Sequence, residues 1–424
     1  MTTNDPQRSV AFYKGKTNTV DTESSETIAT VRRDIADALN SKNLAFLLGS
    51  GCSSFQQDGR ELGIPTMGPM AKKFMNATTG KHRITATDRQ RLKSSLGLNL
   101  DDKDYGNNLE RLLEVLFAQE IALRASTRPA MQKVHAVVQR VIRSVTAYVR
   151  SACTDGEFSR GDETVLRTYM QFYRRLAQRD RALPRPWVFT TNYDLFNETA
   201  MDRLGIPYIN GFLGSIERRF NPSVFRYALS EQLDISNRKW SSVDSLMYFA
   251  KLHGSVSWES RGDGLFPVVE TAPSLISSEQ LLIYPSPAKQ NASFAAPYSD
   301  LFREFQTRVV RDQSVLVTVG YSFGDEHVNN IIFQALTIPT FRLVAFVDPF
   351  ANETVTKLRE LDDPRIWIVG TEDKQATWKA HYFSTLVEDI LATGGSDNAE
   401  EAINSVLTNL LGRGHKTPDS GARR

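Results

Sequence analysis

The chain has 424 residues, 41% of them hydrophobic and 24% charged, the composition of an ordinary soluble globular protein with room for two or three domains. Its 51 Lys and Arg against 49 Asp and Glu leave a net charge of +2, which argues against a dedicated nucleic-acid binder. The two cysteines, Cys52 and Cys153, stand in no paired spacing and exclude a Cys-x-x-Cys zinc module; with no secretory pattern and no run of transmembrane length, a cytoplasmic protein is expected.

Residues 1–25 are polar and rich in Thr, Ser and Asn, and read as a flexible arm or one that orders on assembly. Ile28, Val31, Ile35 and Leu39 fall at helical spacing and lead into Leu44–Leu48, an apolar run short enough for a buried strand. Gly49-Ser50-Gly51-Cys52-Ser53 follows at once. Glycines directly after a first strand let the backbone approach a pyrophosphate, although tight turns use such glycines more often. The third glycine of the dinucleotide fingerprint is absent.

From about residue 85 to 182 the spacing turns helical: Leu109, Leu112, Leu113 and Leu116, then Val134 to Val149, then Val165, Tyr169, Phe172 and Leu176. The stretch reads as an all-helical insertion. His135 within the valine stripe reads as structural, and the arginines at 174, 175, 179 and 181 as a solvated or partner-facing surface. Next, Trp187-Val188-Phe189-Thr190 is apolar and turns abruptly into Thr191-Asn192-Tyr193-Asp194, a strand with polar groups at its carboxyl end. Asp194 can cap a following helix. A loop-rich segment runs to about 243, and a strand over Leu246–Leu252 stops at His253-Gly254.

Leu281–Tyr284 is a further short strand, and Leu301, Phe302, Phe305 and Val309 mark a helix. Ser314–Val319 is a near-continuous β-branched run, as a parallel sheet covered on both faces demands. It ends in Gly320-Tyr321-Ser322-Phe323-Gly324-Asp325-Glu326-His327, where Gly320 permits close backbone approach, Ser322 can donate to a phosphate and Asp325 can cap the next helix. Leu343–Val347 runs into Asp348, placed either to hold ribose hydroxyls or to cap a helix. Ile366–Val369 is a last strand, Trp378 to Leu391 a closing helix, and beyond Gly394 lie a short amphipathic piece and a basic tail.

Strands alternating with helices give a doubly wound, Rossmann-like α/β fold with a parallel sheet and the inserted helical subdomain. Five polar motifs follow five apolar strands, and this topology brings such ends to one edge of a sheet. The expected division is an arm at 1–25, a nucleotide-binding unit at 26–80 and 183–395, the insertion at 81–182 and the amphipathic segment and tail at 396–424.

On these motifs the chain resembles the sirtuin-like family. Ala45–Ser53 is similar to its first phosphate loop, Gly63-Ile64-Pro65 to its Gly-Ile-Pro, and Thr190–Asp194 to its Thr-Gln-Asn-Ile-Asp, with Thr191 in place of glutamine. Lys251-Leu252-His253-Gly254 resembles its Glu-Leu-His-Gly, and Val319–Phe323 occupies the place of its late Gly-Thr-Ser. The protein-deacylating members carry a four-cysteine zinc module that two cysteines cannot build. The Gly-Tyr-Ser-Phe-x-Asp-x-His wording resembles instead the bacterial branch used in antiphage defence, whose members hydrolyse NAD, often beside a HerA-type ATPase.

The resemblance implies NAD as substrate, no zinc, and catalysis by Asn192 and His253 with Asp194 in support. It implies phosphate and ribose contacts from Gly49, Ser50, Gly51, Cys52, Ser53, Thr191, Gly320, Ser322, Phe323, Asp325, His327 and Asp348. A homo-oligomer or a partner ATPase is expected to restrain such an activity, and the charge of the tail leaves contact with nucleic acid open. An NAD-dependent protein deacylase and a non-catalytic NAD or ADP-ribose sensor are the competing readings.

Overall fold

Apolar runs too short for helices become the strands of a sheet buried on both faces. The computed structural model describes residues 8–21, 27–57, 60–154, 163–234, 239–261, 266–276, 281–283 and 297–391. In chain order the strands are β1 (Ala11–Lys14), β2 (Thr17–Asn18), β3 (Asn43–Leu48), β4 (Ser54–Gln57), β5 (Arg60–Gly63), β6 (Trp187–Thr190), β7 (Tyr208–Ile209), β8 (Phe212–Leu213) and β9 (Arg218–Phe220). They continue as β10 (Ser230–Asp234), β11 (Lys239–Ser242), β12 (Met247–Lys251), β13 (Gly254–Ser260), β14 (Val268–Glu270), β15 (Leu281–Ile283), β16 (Ser314–Val319), β17 (Arg342–Phe346) and β18 (Ile366–Gly370).

The main sheet runs β2-β1-β18-β17-β16-β3-β6-β12-β7, and every pair from β18 to β7 is parallel. From β3 the chain moves outward through β6 and β12 on one side, and later through β16, β17 and β18 on the other. The order therefore reverses between β3 and β16. Their register sets Leu48 opposite Val319, so Gly49 and Gly320 leave the sheet side by side. Such a switch point opens a crevice at the carboxyl ends of the strands, where open α/β sheets bind ligands.

Side chains alternate between the faces with the period of two that a strand imposes. Phe46, Leu48, Val188, Phe249, Val317 and Val319 join one core with the helices Thr27–Leu39, Leu109–Arg124, Pro129–Thr154 and Thr164–Ala177. Ala45, Leu47, Phe189, Ala250 and Leu316 join another with the helices Tyr298–Val309, Glu326–Leu336 and Glu353–Glu360. The helices between β3 and β6 share this core with the sheet; the Phe172 ring of Thr164–Ala177 meets Phe46 edge-on at 5.2 Å. Among the described residues no helix is long and apolar enough to cross a membrane.

Three sequence expectations need correction. The arm is in part sheet: β1 pairs antiparallel with β18, Phe12 is fully buried, and its ring lies edge-on to Trp367 at 5.5 Å. A four-residue strand held between β2 and β18 by backbone hydrogen bonds needs only Val10 and Phe12 facing inward, too little to register as a pattern. Second, the segment read as loop-rich supplies β8 and β9 to an antiparallel sheet ordered β15-β13-β14-β9-β8, which also takes β15 away from the main sheet. Strands of two and three residues have no measurable period. Third, Trp378 precedes the closing helix rather than opening it; the helix starts at Phe383 and passes into a π turn at Leu386–Ile390. The amphipathic segment and tail at 396–424 lie outside the described residues.

The crossing of the two loops at the switch point leaves no room for side chains. A Cβ on Gly49 would lie 2.3 Å from the Gly320 carbonyl oxygen, and one on Gly320, where φ is +63°, 2.5 Å from the Cys52 amide nitrogen. Gly49→Ala is therefore expected to cost about 3 kcal/mol or more, because backbone rather than a flexible side chain must yield. Chemical unfolding measures it, and a loss below about 1 kcal/mol would show that the loops can part.

Candidate active site

The end of β6 is tied to β3 before it turns away. The Thr190 hydroxyl donates to the Leu48 carbonyl at 2.8 Å and accepts from the Asn192 amide at 3.0 Å, and the Thr191 amide donates to the same carbonyl at 3.1 Å. This fold-back sends the Asn192 side chain toward the Gly49 loop. Its Nδ2 donates to the Gly49 carbonyl (2.9 Å) and to Ser53 Oγ (3.0 Å), and Ser53 in turn hydrogen-bonds the Tyr169 hydroxyl at 2.9 Å. The amide is thus held at one end. Its Oδ1 is buried with no hydrogen-bond partner among the described residues. A buried carbonyl left unpaired costs about 1–3 kcal/mol, a penalty that a bound hydroxyl or water would remove.

His253 reaches the same place from the end of β12. Its Nε2 lies 2.7 Å from Asp325 Oδ2, the carboxylate at the N-terminus of the helix Glu326–Leu336, whose other oxygen accepts from the Val328 amide at 3.0 Å. Burial works against the imidazolium, but the hydrogen bond and charge of Asp325, helped by Glu110, outweigh it and hold the imidazole above its ordinary value. Burial likewise resists ionisation of Asp325, yet the His253 partner wins and its carboxyl is pushed down to about 2. The result is an acid-backed imidazole.

Asn192, Asp194 and His253 line one cavity of ≈ 550 Å³, within the size range of ligand sites. Ser50, Ser53, Thr191, Gly320, Ser322, Asp325 and His327 line it too. Gly49, Gly51, Cys52, Phe323 and Asp348 are not among its lining residues. Asp194 faces the cavity and also accepts from the Phe196 amide at 3.1 Å, which starts the helix Phe196–Leu204.

The reading of the first glycine loop as an amide cradle needs correction. The amides of Gly49, Gly51, Cys52 and Ser53 donate to the carbonyls of Val319, Gly320, Gly49 and Ser50, at 2.9, 2.9, 3.0 and 3.1 Å. These glycines serve the close approach of two loops, and their N–H groups are already engaged. Ser50 and Ser53 are the loop's side chains that face the cavity. Cys52 is buried with its thiol on the Val319 carbonyl at 3.2 Å, and burial pushes its ionisation up, so it is a packing residue. The second loop is pinned from behind: Asn329 Nδ2 donates to the Phe323 carbonyl at 2.8 Å, and Asn352 Nδ2 to the Ser322 carbonyl at 2.5 Å. Phe323 itself is buried with φ +57°, a conformation those bonds enforce. Asp348 lies apart, its carboxylate accepting from the Phe350 amide at 2.9 Å.

One acidic residue escaped the sequence reading. Glu110 sits in the first turn of the helix Leu109–Arg124, started by the Asn108 side chain accepting from the amides of Glu110 and Arg111. Its carboxylate accepts from the Tyr193 hydroxyl at 2.6 Å at the cavity wall. Burial raises its carboxyl above the ordinary value, opposed by His253 and the Tyr193 hydrogen bond. Asn108 and Glu110 announce a helix start in sequence; that the start points at the sheet edge is not written there.

Behind His253 lies a buried ion pair. Lys251 Nζ meets Glu198 Oε1 at 2.9 Å with side-chain exposures of 1% and 9%, and also donates to the Asp194 carbonyl, tying β12 to the loop after β6. Burial pushes the Glu198 carboxyl up to about 7, with Lys251 opposing. Lys251→Met is expected to destabilise by about 3 kcal/mol, because one buried charge loses its partner. Adding Glu198→Leu should restore much of that; urea unfolding of the two variants decides, and equal losses would contradict the pairing.

No curated protein matches the chain. Residues 186–353, from β6 through β17 to the start of the helix Glu353–Glu360, match the family model of the SIR2-like domain. The mixed α/β architecture, with its large parallel-rich sheet, is compatible with a Rossmann-like fold of that kind. Over these residues the chain is similar to the SIR2-like domain, which supports a Sir2-type family and suggests an NAD-related activity.

Proposed function

We propose that the chain hydrolyses NAD to ADP-ribose and nicotinamide. The observation that carries the reading is the meeting, in one cavity at the switch point, of a buried Asn192 carbonyl oxygen that has no partner among the described residues and an imidazole backed by Asp325. Cleavage of the nicotinamide–ribose bond passes through an oxocarbenium-like state, as glycoside cleavage does. The bonding electrons leave with neutral nicotinamide, so no acid is needed. The Asn192 carbonyl, fixed by Gly49 and Ser53, orients a water or a ribose hydroxyl. His253 takes the proton of that water as its oxygen bonds the anomeric carbon, and Asp325 stabilises the imidazolium so formed. The carboxylates of Asp194 and Glu110 on the cavity wall favour the cationic state. On this reading Ser50 and Ser322, which line the cavity, meet the phosphates, while Ser53 holds Asn192.

On this reading residues 26–80 and 183–395 form the NAD-binding unit, the helices of 81–182 contribute Glu110 to it, and no zinc is required. The physiological role follows from the sirtuin-like resemblance: an antiphage effector of the cytoplasm that depletes NAD, restrained by self-association or by a HerA-type ATPase. Incubation of the pure chain with NAD, with an acyl-lysine peptide present or absent, tests it. Nicotinamide release that needs no peptide supports hydrolysis; release only with peptide indicates a deacylase, and binding without turnover a sensor.

A further inference from the structure

A second cavity of ≈ 520 Å³ lies on the far side of Cys153, a residue common to the linings of both. The helix Pro129–Thr154 runs between them: Val149 and Cys153 face the first, Arg150, Ser151, Cys153 and Thr154 the second. The chemistry of the walls is opposite. The first cavity carries five carboxylates, Glu110, Glu114, Asp194, Asp325 and Glu326, beside Arg111, His253 and His327. The second is lined by Lys81, His82 and Arg150 and by Ser151, Thr154, Thr199 and Ser274, of which the Thr154 hydroxyl donates back to the Arg150 carbonyl at 2.9 Å, and it has no carboxylate among its lining residues.

Arg150 is half-buried, and Nη1 donates to the Ile276 carbonyl, which orients the guanidinium without neutralising it. Neither Arg150 nor Lys81 forms an ion pair among the described residues, whereas Arg140, on the same helix, is paired with Asp88 at 3.0 Å. Two cations on the wall of one concave space, the half-buried Arg150 and the exposed Lys81, favour a polyvalent anion, and a guanidinium suits phosphate oxygens in particular. We infer that this cavity is a binding site for a phosphate-bearing small molecule, separate from the NAD cavity. The inference stands on the second cavity's own residues and does not depend on NAD hydrolysis.

Inorganic pyrophosphate titrated into the full chain, followed by calorimetry, tests this. Saturable binding is expected, weakened at least tenfold in Lys81→Gln/Arg150→Gln and retained in His253→Ala. Ser274→Trp, at the exposed rim, should block the cavity without touching either cation, and circular dichroism reports on folding of each variant. Absence of saturable binding by the wild type overturns the inference. Binding that both sets of substitutions leave unchanged, or that ADP-ribose displaces while they do not, overturns it equally, because the anion then sits elsewhere.

Discussion

His253→Ala is expected to lower NAD hydrolysis by about 10²–10⁴-fold, the usual worth of a general base, while the chain stays folded. The imidazole ends β12 at the cavity wall, so its removal leaves the strand pairing of β12 with β6 untouched. Its protonation gives a sharper signature than its loss. The base must be neutral, and Asp325 holds the imidazole above its ordinary value, so turnover should rise with pH through a midpoint above about 6.5. Asp325→Asn removes the charge that raises it and leaves the opposing burial, which moves that midpoint to lower pH. Stability follows the opposite sign: the His253 contribution is full below about 6.5 and fades as pH rises through the raised value. The Asp325 contribution is present above its ordinary 3.8 and fades as pH falls toward 2. A midpoint identical in wild type and Asp325→Asn would remove Asp325 from the mechanism.

Asn192→Ala should lose about 10²-fold or more in kcat, with a smaller change in KM, because the amide acts on the water or ribose at the reacting carbon. Asn192→Asp is the informative companion. It keeps the shape and an oxygen toward the cavity, but it places an acceptor against the Gly49 carbonyl, where Nδ2 now donates at 2.9 Å. The side chain then loses its anchor, and the loss should approach that of alanine. If Asn192→Asp worked as well as wild type, the anchoring by Gly49 and Ser53 would be irrelevant. Steady-state kinetics of nicotinamide release, with circular dichroism for folding, separates these outcomes.

Much of the fold is legible in the sequence because its central strands are short and apolar, and because each stops at a polar turn. Ser314–Val319 and Leu343–Phe346 announce themselves in that way. What was not legible depended on partners distant in sequence. β1 is a strand because β18 offers it an edge, and β8 and β9 exist because β14 continues the sheet beside β9. The same holds for the site. Asn192 and His253 stand out in the sequence as polar residues at strand ends, but Asp325 reads there only as a cofactor contact and a helix cap. Its place 2.7 Å from His253 follows from the β3–β16 junction and the strand order. The glycine loop misled for a related reason: sequence shows that Gly49 and Gly51 lack side chains, not that a second loop with its own Gly320 fills the space.

The central claim is that an amide and an acid-backed imidazole act together on one bound dinucleotide to let water split it. Turnover of NAD in water enriched in heavy oxygen, comparing the wild-type chain with Asn192→Ala/His253→Ala, tests it most directly. The account predicts ADP-ribose labelled at the anomeric hydroxyl from the wild type, nicotinamide in equal amount, and almost none of either from the double variant. Unlabelled product, or the same nicotinamide yield from both proteins, would contradict it.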